Sequence, residues 1–169
     1  MSRISRGAGG TVAAVLLALA VPACGQSDPP FIDVAEDDAA MNAAMDEARA
    51  SLPQFWSRFD ARGDGARTDF MVKAGMPAAG GGVEHIWVDL DGHTDGQVKG
   101  RLANQPLYLG ADLEYGSPVE FSEAIVSDWG YSNGDVLYGH FTTRVLIAKQ
   151  GDSLGDYGLS PTPIESEIN

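Results

Sequence analysis

The spacing of apolar residues changes once along this chain of 169 residues, and the change restricts the folds open to it. Between residues 38 and 59 the apolar positions recur every three or four residues, which is typical of a helix with one buried face. Beyond residue 70 they alternate with polar positions, which is typical of strands in an antiparallel sheet. A helix followed by a run of strands predicts an α+β fold and not a repeating β–α pattern.

The predicted helix begins at Asp38, whose carboxylate is a suitable N-cap. Its apolar face comprises Met41, Ala44, Met45, Ala48 and Leu52. We expect Pro53 to break the helix, because proline has no amide proton and its ring collides with the preceding turn. Beyond the break, an aromatic face continues through Phe55, Trp56 and Phe59.

Five or six short strands are predicted after the polar loop at 60–68. The clearest of them, 84–90, places Ile86, Val88 and Leu90 on one face and His85, Trp87 and Asp89 on the other. The other candidates are 70–73, 97–103, 118–121, 125–131 and 136–139. Asn133-Gly134 predicts a type I′ hairpin turn. The β-branched segment 141–148 predicts a further strand, with a helix that starts at Thr142 or Thr143 as the alternative.

We therefore predict a single α+β domain at 38–148, in which the broken amphipathic helix packs on a small antiparallel sheet. Closure of that sheet into a small SH3-like barrel is one way to hide its edges. The final segment, 149–169, combines glycine, proline and acidic residues. We expect it to be a mostly disordered acidic tail.

The N-terminal segment has the order of an export signal. Arg3 and Arg6 precede an apolar run at 11–21, and small residues follow ahead of a cleavage point. The uncharged stretch at 7–23 is marginal for a helix that must span the ~30 Å hydrocarbon core of a bilayer. We predict a cleaved signal peptide at 1–23 and a flexible, proline-containing tether at 24–37.

Cys24 is the only cysteine of the chain. Val21-Pro22-Ala23-Cys24 resembles the lipobox of bacterial lipoproteins, in which the cysteine becomes the first mature residue and carries lipid. The resemblance implies an exported protein anchored to the bacterial envelope, on the outer membrane facing the periplasm where one is present. Two or more acyl chains anchor a protein stably, whereas one chain does so only reversibly. The alternative is an ordinary signal peptide cleaved after Ala20 or Ala23.

The charge of the chain argues against some partners. The formal net charge is −13 at pH 7, and removal of Arg3 and Arg6 with the signal peptide would make it about −15. Such a surface repels phosphate backbones and anionic head groups, so we expect no nucleic-acid partner. Attachment to the membrane would come from the lipid, and the remaining partner is an envelope protein or a small ligand that the sequence does not identify.

Several segments together resemble one bacterial family. They are MNAAMDEARASLPQF (41–55), FMVKAGMPAAGGGVEHIWVDL (70–90), GRLANQP (100–106), VSDWGY (126–131) and GHFTTRVL (139–146). In this order they resemble the YegJ-like family, a domain of unknown function, over residues 41–147. The resemblance implies a shared fold and a bacterial origin, and it implies no activity and no catalytic residues.

The second face of the 84–90 strand is the candidate functional surface. His85 and Trp87 project from that face, and Glu84 is adjacent to them in the chain. The full candidate set is Glu84, His85, Trp87, Asp128, Trp129, His140 and Arg144. Zinc sites draw on carboxylates and imidazoles, but the three histidines of the chain are scattered and show no ligand spacing. The sequence therefore predicts no metal and no cofactor.

Two hypotheses for the function remain open. The first is a binding or interaction module at the cell envelope that acts through the Trp/His face and the glycine loop at 80–82. The second is an envelope enzyme, a metal-assisted hydrolase that uses Glu84 and His85. The first is favoured because the sequence assembles no nucleophile, base and orienting group. Ser153, in the hydrolase-like string Gly-Asp-Ser-Leu, has no histidine downstream to activate it.

Overall fold

The computed structural model describes residues 38–62 and 70–165 of the chain. These residues form two α-helices and a six-stranded antiparallel sheet, so the predicted α+β fold is confirmed. In chain order the elements are α1 (Ala39–Ala61), β1 (Met71–Pro77), β2 (Val83–Thr94), β3 (Gln97–Leu102), β4 (Pro118–Ser122), β5 (Val126–Asn133), β6 (Val136–Gly139) and α2 (Phe141–Gln150). Short 3-10 helices occur at Glu123–Ile125 and Leu154–Tyr157.

Three predictions about the N-terminus lie outside the described residues: the signal peptide at 1–23, lipidation at Cys24 and the tether at 24–37. Within the described part of the chain, none of the helices combines the length and the apolar character needed to cross a bilayer.

The sheet has the strand order β4-β3-β2-β1-β5-β6, with every neighbouring pair antiparallel. β4 and β6 lie at its opposite edges, and no ladder among the described residues joins them, so closure into a barrel is not shown. The longest strand, β2, and its neighbour β1 are therefore central, with paired strands on both sides.

Helix α1 begins as predicted, because the Asp38 carboxylate accepts hydrogen bonds from the amides of Ala40 and Met41, both at 3.1 Å. The predicted break at Pro53 is wrong: α1 continues through it to Ala61. Pro53 lies on the exposed face. The carbonyl of Ala48, one residue before the carbonyl that proline leaves unpaired, accepts a bond from Trp129 Nε1 at 3.0 Å. A tertiary contact with β5 therefore lies one residue from the point where the hydrogen-bond ladder of the helix is interrupted.

The core lies between α1 and one face of the sheet. Phe55 of α1 is fully buried, and its ring stacks on Trp129 of β5 at a centroid distance of 5.2 Å. Burial of a phenylalanine side chain contributes about 1.5–3 kcal/mol to stability. Trp129 is only 2% exposed, so this candidate surface residue belongs to the core.

Two hairpins of the described sheet, β2–β3 and β5–β6, have two-residue loops. The β2–β3 turn has Asp95 and Gly96 at φ 52° and 73°, as a type I′ turn requires. In the β5–β6 hairpin, Asn133 pairs with Val136, so the two-residue loop begins at Gly134 and the predicted turn is one residue early. Asn133 stays in the strand, where its side chain donates to Glu165 Oε1 at 2.8 Å.

Segment 141–148 belongs to helix α2, so the strand prediction is wrong and the helical alternative is confirmed. Its β-branched residues favour a strand locally, but the contacts at both ends of the segment favour the helix. The buried Asp128 carboxylate binds the amides of Phe141 and Thr142 at the start of α2. Gly151 ends the helix in a left-handed conformation, φ 80°.

The segment after α2 differs from the disordered tail expected from its composition. Leu137 of β6 donates its amide to Gly158 O and accepts from the amide of Ser160, both at 2.9 Å. Leu159 between them is 5% exposed. Near the end of the described residues, Glu165 Oε2 lies 2.7 Å from Arg58 Nη1. The unpaired edge of β6 supplies backbone partners that composition alone does not reveal.

Candidate functional site

The alternation of side chains along β2 separates two of the candidate residues. Glu84 is buried on the core face, together with Ile86 and Val88. Val83, His85 and Trp87 occupy the opposite face, because successive side chains of a strand point to opposite sides. Glu84 and His85 therefore do not project into one site, although they are adjacent in the sequence.

The carboxylate of Glu84 is occupied by the backbone of the loop after β3. It accepts hydrogen bonds from the amides of Leu107, Tyr108 and Leu109 at 2.8–3.0 Å. The carbonyl of Tyr108 accepts in turn from the amide of Ala79, just before the glycine loop, at 2.7 Å. Glu84 thus holds two loops against the sheet, which is a structural role.

On the opposite face, a lysine outside the predicted candidate set lies in the middle of the site. Lys73 of β1 pairs with Trp87 of β2 on one side and with Asp128 of β5 on the other. Its Nζ lies 4.9 Å from the centroid of the Trp87 ring, within the range of a cation–π contact. Alternation with the apolar residues of β1 would place Lys73 on the face opposite the core. Its neighbours on that face depend on strand pairing, which the sequence does not give.

A chain of hydrogen bonds joins Lys73 to Asp128 through Thr142. Lys73 Nζ donates to Thr142 Oγ1 at 2.8 Å, and that hydroxyl donates to Asp128 Oδ2 at 2.6 Å. The Asp128 carboxylate also accepts from the amides of Trp129, Phe141 and Thr142. With four donors around it, this fully buried carboxylate has no coordination left for a ligand.

Burial dominates the titration of both charged groups in this chain. It raises the pKa of Asp128, while the Thr142 hydrogen bond and the charge of Lys73 act in the opposite direction. Burial lowers the pKa of Lys73, and Asp128 opposes that change. Asp128 is thus the main compensation for the buried charge of Lys73, whereas the Thr142 hydroxyl compensates Asp128 more than Lys73 does.

His140 adopts an unusual backbone conformation at the start of α2. It has φ 56°, and its side chain makes no capping hydrogen bond. Asp128 binds the helix amides in its place. The ring packs directly over Gly130, where an added Cβ would lie 2.3 Å from Nε2, and it lies 4.9 Å from Trp87 between centroids. Left-handed conformations of this kind are strained for most residues other than glycine, and they are often found at functional sites.

The environment of His140 keeps its imidazole neutral at physiological pH. Burial lowers its pKa to about 4, and the positive charges of Lys73 and Arg144 act in the same direction. The ring can therefore accept or donate a hydrogen bond without carrying a charge.

His85 has a defined tautomer when it is neutral. The hydroxyl of Ser127 has a single proton, and it donates that proton to the carbonyl oxygen of Lys73 at 3.2 Å. It must then accept from His85 Nδ1, which lies 2.8 Å away. Nδ1 therefore carries the ring proton, and Nε2 carries a lone pair that no described residue binds.

His85 is exposed as a residue, yet its Nδ1 edge meets Ser127, which is fully buried. Burial of that edge lowers the pKa of His85, and the charges of Lys73 and Arg49 lower it further. Because Ser127 is inaccessible, the contact between its hydroxyl and His85 cannot serve a nucleophilic serine. Its role is to orient the imidazole.

The hydrogen-bond partners of Arg144 are carbonyl groups. Its Nε donates to Gly139 O and its Nη1 to Ser160 O, both at 2.7 Å. Nη2 is buried and has no hydrogen-bond partner among the described residues. Arg144 therefore connects β6, α2 and the C-terminal segment beside the site.

Four side chains remain as a possible contact surface: Lys73, His85, Trp87 and His140. We call this set the histidine–tryptophan face. Within the described residues, no three His, Cys, Asp or Glu side chains come together in a way that could hold a metal ion. The cations beside both histidines also oppose the approach of a metal ion. The chemistry that this face offers is hydrogen bonding, aromatic contact and positive charge.

An open antiparallel sheet with α1 on one face and this polar–aromatic cluster on the other defines a small α+β domain without an assembled catalytic centre among the described residues. Residues 38–153 match the family described as "Uncharacterized protein conserved in bacteria (DUF2314)", and the chain belongs to that family. It is also 29% identical over 111 residues to "Uncharacterized protein YegJ" of Escherichia coli (strain K12), a match that covers 66% of this chain and 69% of the relative. No solved structure matches the chain.

Proposed function

We propose that this protein is a lipid-anchored binding module of the bacterial cell envelope and that its ligand or partner contacts the histidine–tryptophan face. The observation that carries the proposal is the free Nε2 of His85 beside the partly exposed ring of Trp87. A ring that the protein orients with a buried serine, and then leaves unbonded at the surface, is suited to bind a group from another molecule.

The geometry favours binding over the alternative of a metal-assisted hydrolase. That mechanism would need Glu84 and His85 to act on one substrate atom, but they project from opposite faces of β2. The three amides bound to Glu84 would also have to be released before it could act as a base. The remaining polar groups of the face offer contacts without a nucleophile.

The envelope location rests on the N-terminal sequence. Arg3 and Arg6, the apolar run at 11–21 and Cys24 have the order of a lipoprotein signal. The excess of acidic residues would not attract an anionic membrane surface, so lipid at Cys24 is the consistent means of attachment.

Site-specific photocrosslinking of the full chain in its host tests the contact surface. Val83 is 59% exposed on the same side of β2 as His85, so a photoreactive residue there would report on a partner at this face. Tyr157, 46% exposed in the C-terminal segment, is the matched control position. We expect a discrete crosslinked product from position 83 and none from position 157. Equal or absent products at both positions would contradict the proposal.

Substitution of the cysteine tests the anchor separately. Cys24→Ala should abolish incorporation of labelled fatty acid and release the protein from the membrane fraction. Arg3 and Arg6 are kept in this variant, so that the export signal is otherwise unchanged. An unlabelled wild-type chain in the soluble fraction would exclude lipid anchoring.

A further inference from the structure

Positive groups converge on the histidine–tryptophan face, although the chain as a whole has a formal net charge of −13. The positive charges of Lys73 and Arg49 lower the pKa of His85. Those of Lys73 and Arg144 lower the pKa of His140. Lys73 Nζ lies 4.9 Å from the centroid of the Trp87 ring within this area, and Arg49 and Arg144 are bound at its border, to Val126 O and Gly139 O.

The carboxylates near this area are engaged elsewhere. Asp128 is buried under four donors. On α1, the exposed Asp46 accepts a hydrogen bond from Arg49 at 3.3 Å. Glu47, exposed on the same helix, raises the pKa of Arg144 through its negative charge. Asp89 is a further carboxylate on the same side of β2, exposed and four residues from His85. Among the described residues, Asp128 is the carboxylate that raises the pKa of Lys73.

The face also has an apolar surface beside the positive charge. Trp87 lies between His85, two residues away on the same side of β2, and the ring of His140 at 4.9 Å. Val83 continues this surface beyond His85. The absence of a side chain at Gly75 lets Val83 and His85 pack closely over β1, since a Cβ there would lie 3.0 Å from Val83 Cγ1 and 3.2 Å from His85 Cε1.

We propose that the histidine–tryptophan face binds the carboxylate of a small organic acid whose aromatic or apolar part lies on Trp87 and Val83. This inference rests on the proposed binding function and names the chemical class of the ligand. The positive charges favour an anion over a metal ion, and the adjacent tryptophan favours an acid with an apolar group over a small inorganic ion.

Binding requires a proton on His85. The lone pair at Nε2 repels a carboxylate, whereas a protonated Nε2 donates a charge-assisted hydrogen bond to it. His85 takes this proton from water as the acid anion binds, while Nδ1–H keeps its bond to Ser127. The ammonium group of Lys73 adds positive charge to the face. Thr142 Oγ1 accepts one of its three protons, which leaves two further donors.

The coupling fixes the sign of the pH dependence. Free His85 is neutral at pH 7 because its pKa is lowered, and the bound anion stabilises the protonated form. Affinity therefore rises as the pH falls towards the pKa of free His85, by up to about tenfold per pH unit for one coupled proton. Protonation of His140 would add to this rise only near its own pKa of about 4.

Calorimetric titration of the full chain in detergent micelles with benzoate tests the inference. Benzamide, which has the same shape without the charge, is the control ligand, and inorganic phosphate is the control anion. We expect benzoate to bind more tightly at pH 5.5 than at pH 7.5, and we expect benzamide and phosphate not to bind. His85→Gln should lose the pH dependence, and Trp87→Leu should weaken benzoate binding at both pH values.

His93→Gln provides the matched control, because His93 lies outside the face, stacked on Trp56 at 3.8 Å and bonded to Glu123 at 2.8 Å. This variant should bind benzoate as the wild type does.

Thermal unfolding of each variant is measured first, and His85→Asn replaces His85→Gln if the latter fails to fold. Equal binding of benzamide, preference for phosphate, or an unchanged pH dependence in the His85 variant would overturn the inference. If no acid binds but position 83 still gives a crosslink, the inference is wrong and the proposed function stands.

Discussion

Asp128 and Thr142 are joined by two hydrogen bonds to the same carboxylate oxygen. Oδ2 of Asp128 accepts the Thr142 amide at 2.8 Å and its hydroxyl at 2.6 Å, while Oδ1 accepts the amide of Phe141 at 3.0 Å. A residue of β5 therefore caps a helix that begins 13 residues later. This arrangement relieves His140 of the capping role and leaves its ring available at the histidine–tryptophan face.

Removal of the charge at this cap should destabilise the domain. In Asp128→Asn one side-chain oxygen becomes an amide group that faces backbone amides, and Lys73 loses its buried counter-charge. We expect the free energy of unfolding to fall by about 3 kcal/mol, measured by urea denaturation. Asp112→Asn, at an exposed position, is the control and should change stability by less than about 0.5 kcal/mol. Equal stability of the two variants would show that Asp128 is not the cap.

His140 should make the stability of the domain dependent on pH. Its pKa is about 4 in the folded protein, below the ordinary value of 6.5, so the unfolded chain takes up the proton first as the pH falls. Its contribution is complete above pH 6.5 and is lost towards pH 4, which amounts to about 2 kcal/mol between pH 7 and pH 5. Urea denaturation at these two values measures the change.

The matched variant for this test is His140→Asn, because asparagine tolerates the left-handed conformation better than most residues. The variant should lose less stability on acidification than the wild type. His85, whose pKa is also lowered, accounts for part of the remaining decrease. An identical loss in both proteins would mean that His140 does not titrate as the structure indicates.

Local patterns were sufficient to predict most strands but not the site. The alternation in β2 is set by neighbouring residues, and it is confirmed. The same alternation also predicts that Glu84 lies on the core face, because residue 84 has the same parity as Ile86 and Val88. Its adjacency to His85 in the chain was the wrong criterion, because adjacent strand residues face opposite sides.

Lys73 and α2 could not be inferred from local sequence for a different reason. The neighbours of Lys73 come from β2 and β5, and β5 is about 50 residues away along the chain. The helical state of 141–150 depends on a carboxylate in another element. Both features depend on contacts between segments far apart in the chain, and a short window of sequence carries no signal for such contacts.

The role of Glu84 can be tested without reference to any activity. Glu84→Gln replaces one of the two accepting oxygens by an amide group that faces donors, so the bonds to Leu107, Tyr108 and Leu109 should weaken. We expect a loss of about 1–3 kcal/mol in the free energy of unfolding and faster hydrogen exchange at these three amides. Glu114→Gln, at an exposed position, serves as the control. Unchanged exchange would contradict the structural role and reopen a chemical role for Glu84.

The continuity of α1 through Pro53 leads to a prediction of increased stability. Pro53→Ala restores an amide that can donate to the carbonyl of Arg49 within a helix that already has its backbone path in place. Because Pro53 is exposed, no core contact is lost, and alanine is a much better helix former than proline. We expect the free energy of unfolding to rise by about 1–3 kcal/mol, with an increase in Tm measured by circular dichroism. Gln54→Ala, at the adjacent exposed position, should have a small effect and controls for helix propensity alone. A less stable Pro53→Ala variant would indicate that α1 is interrupted at this position, and the contact of Trp129 with Ala48 would then need another explanation.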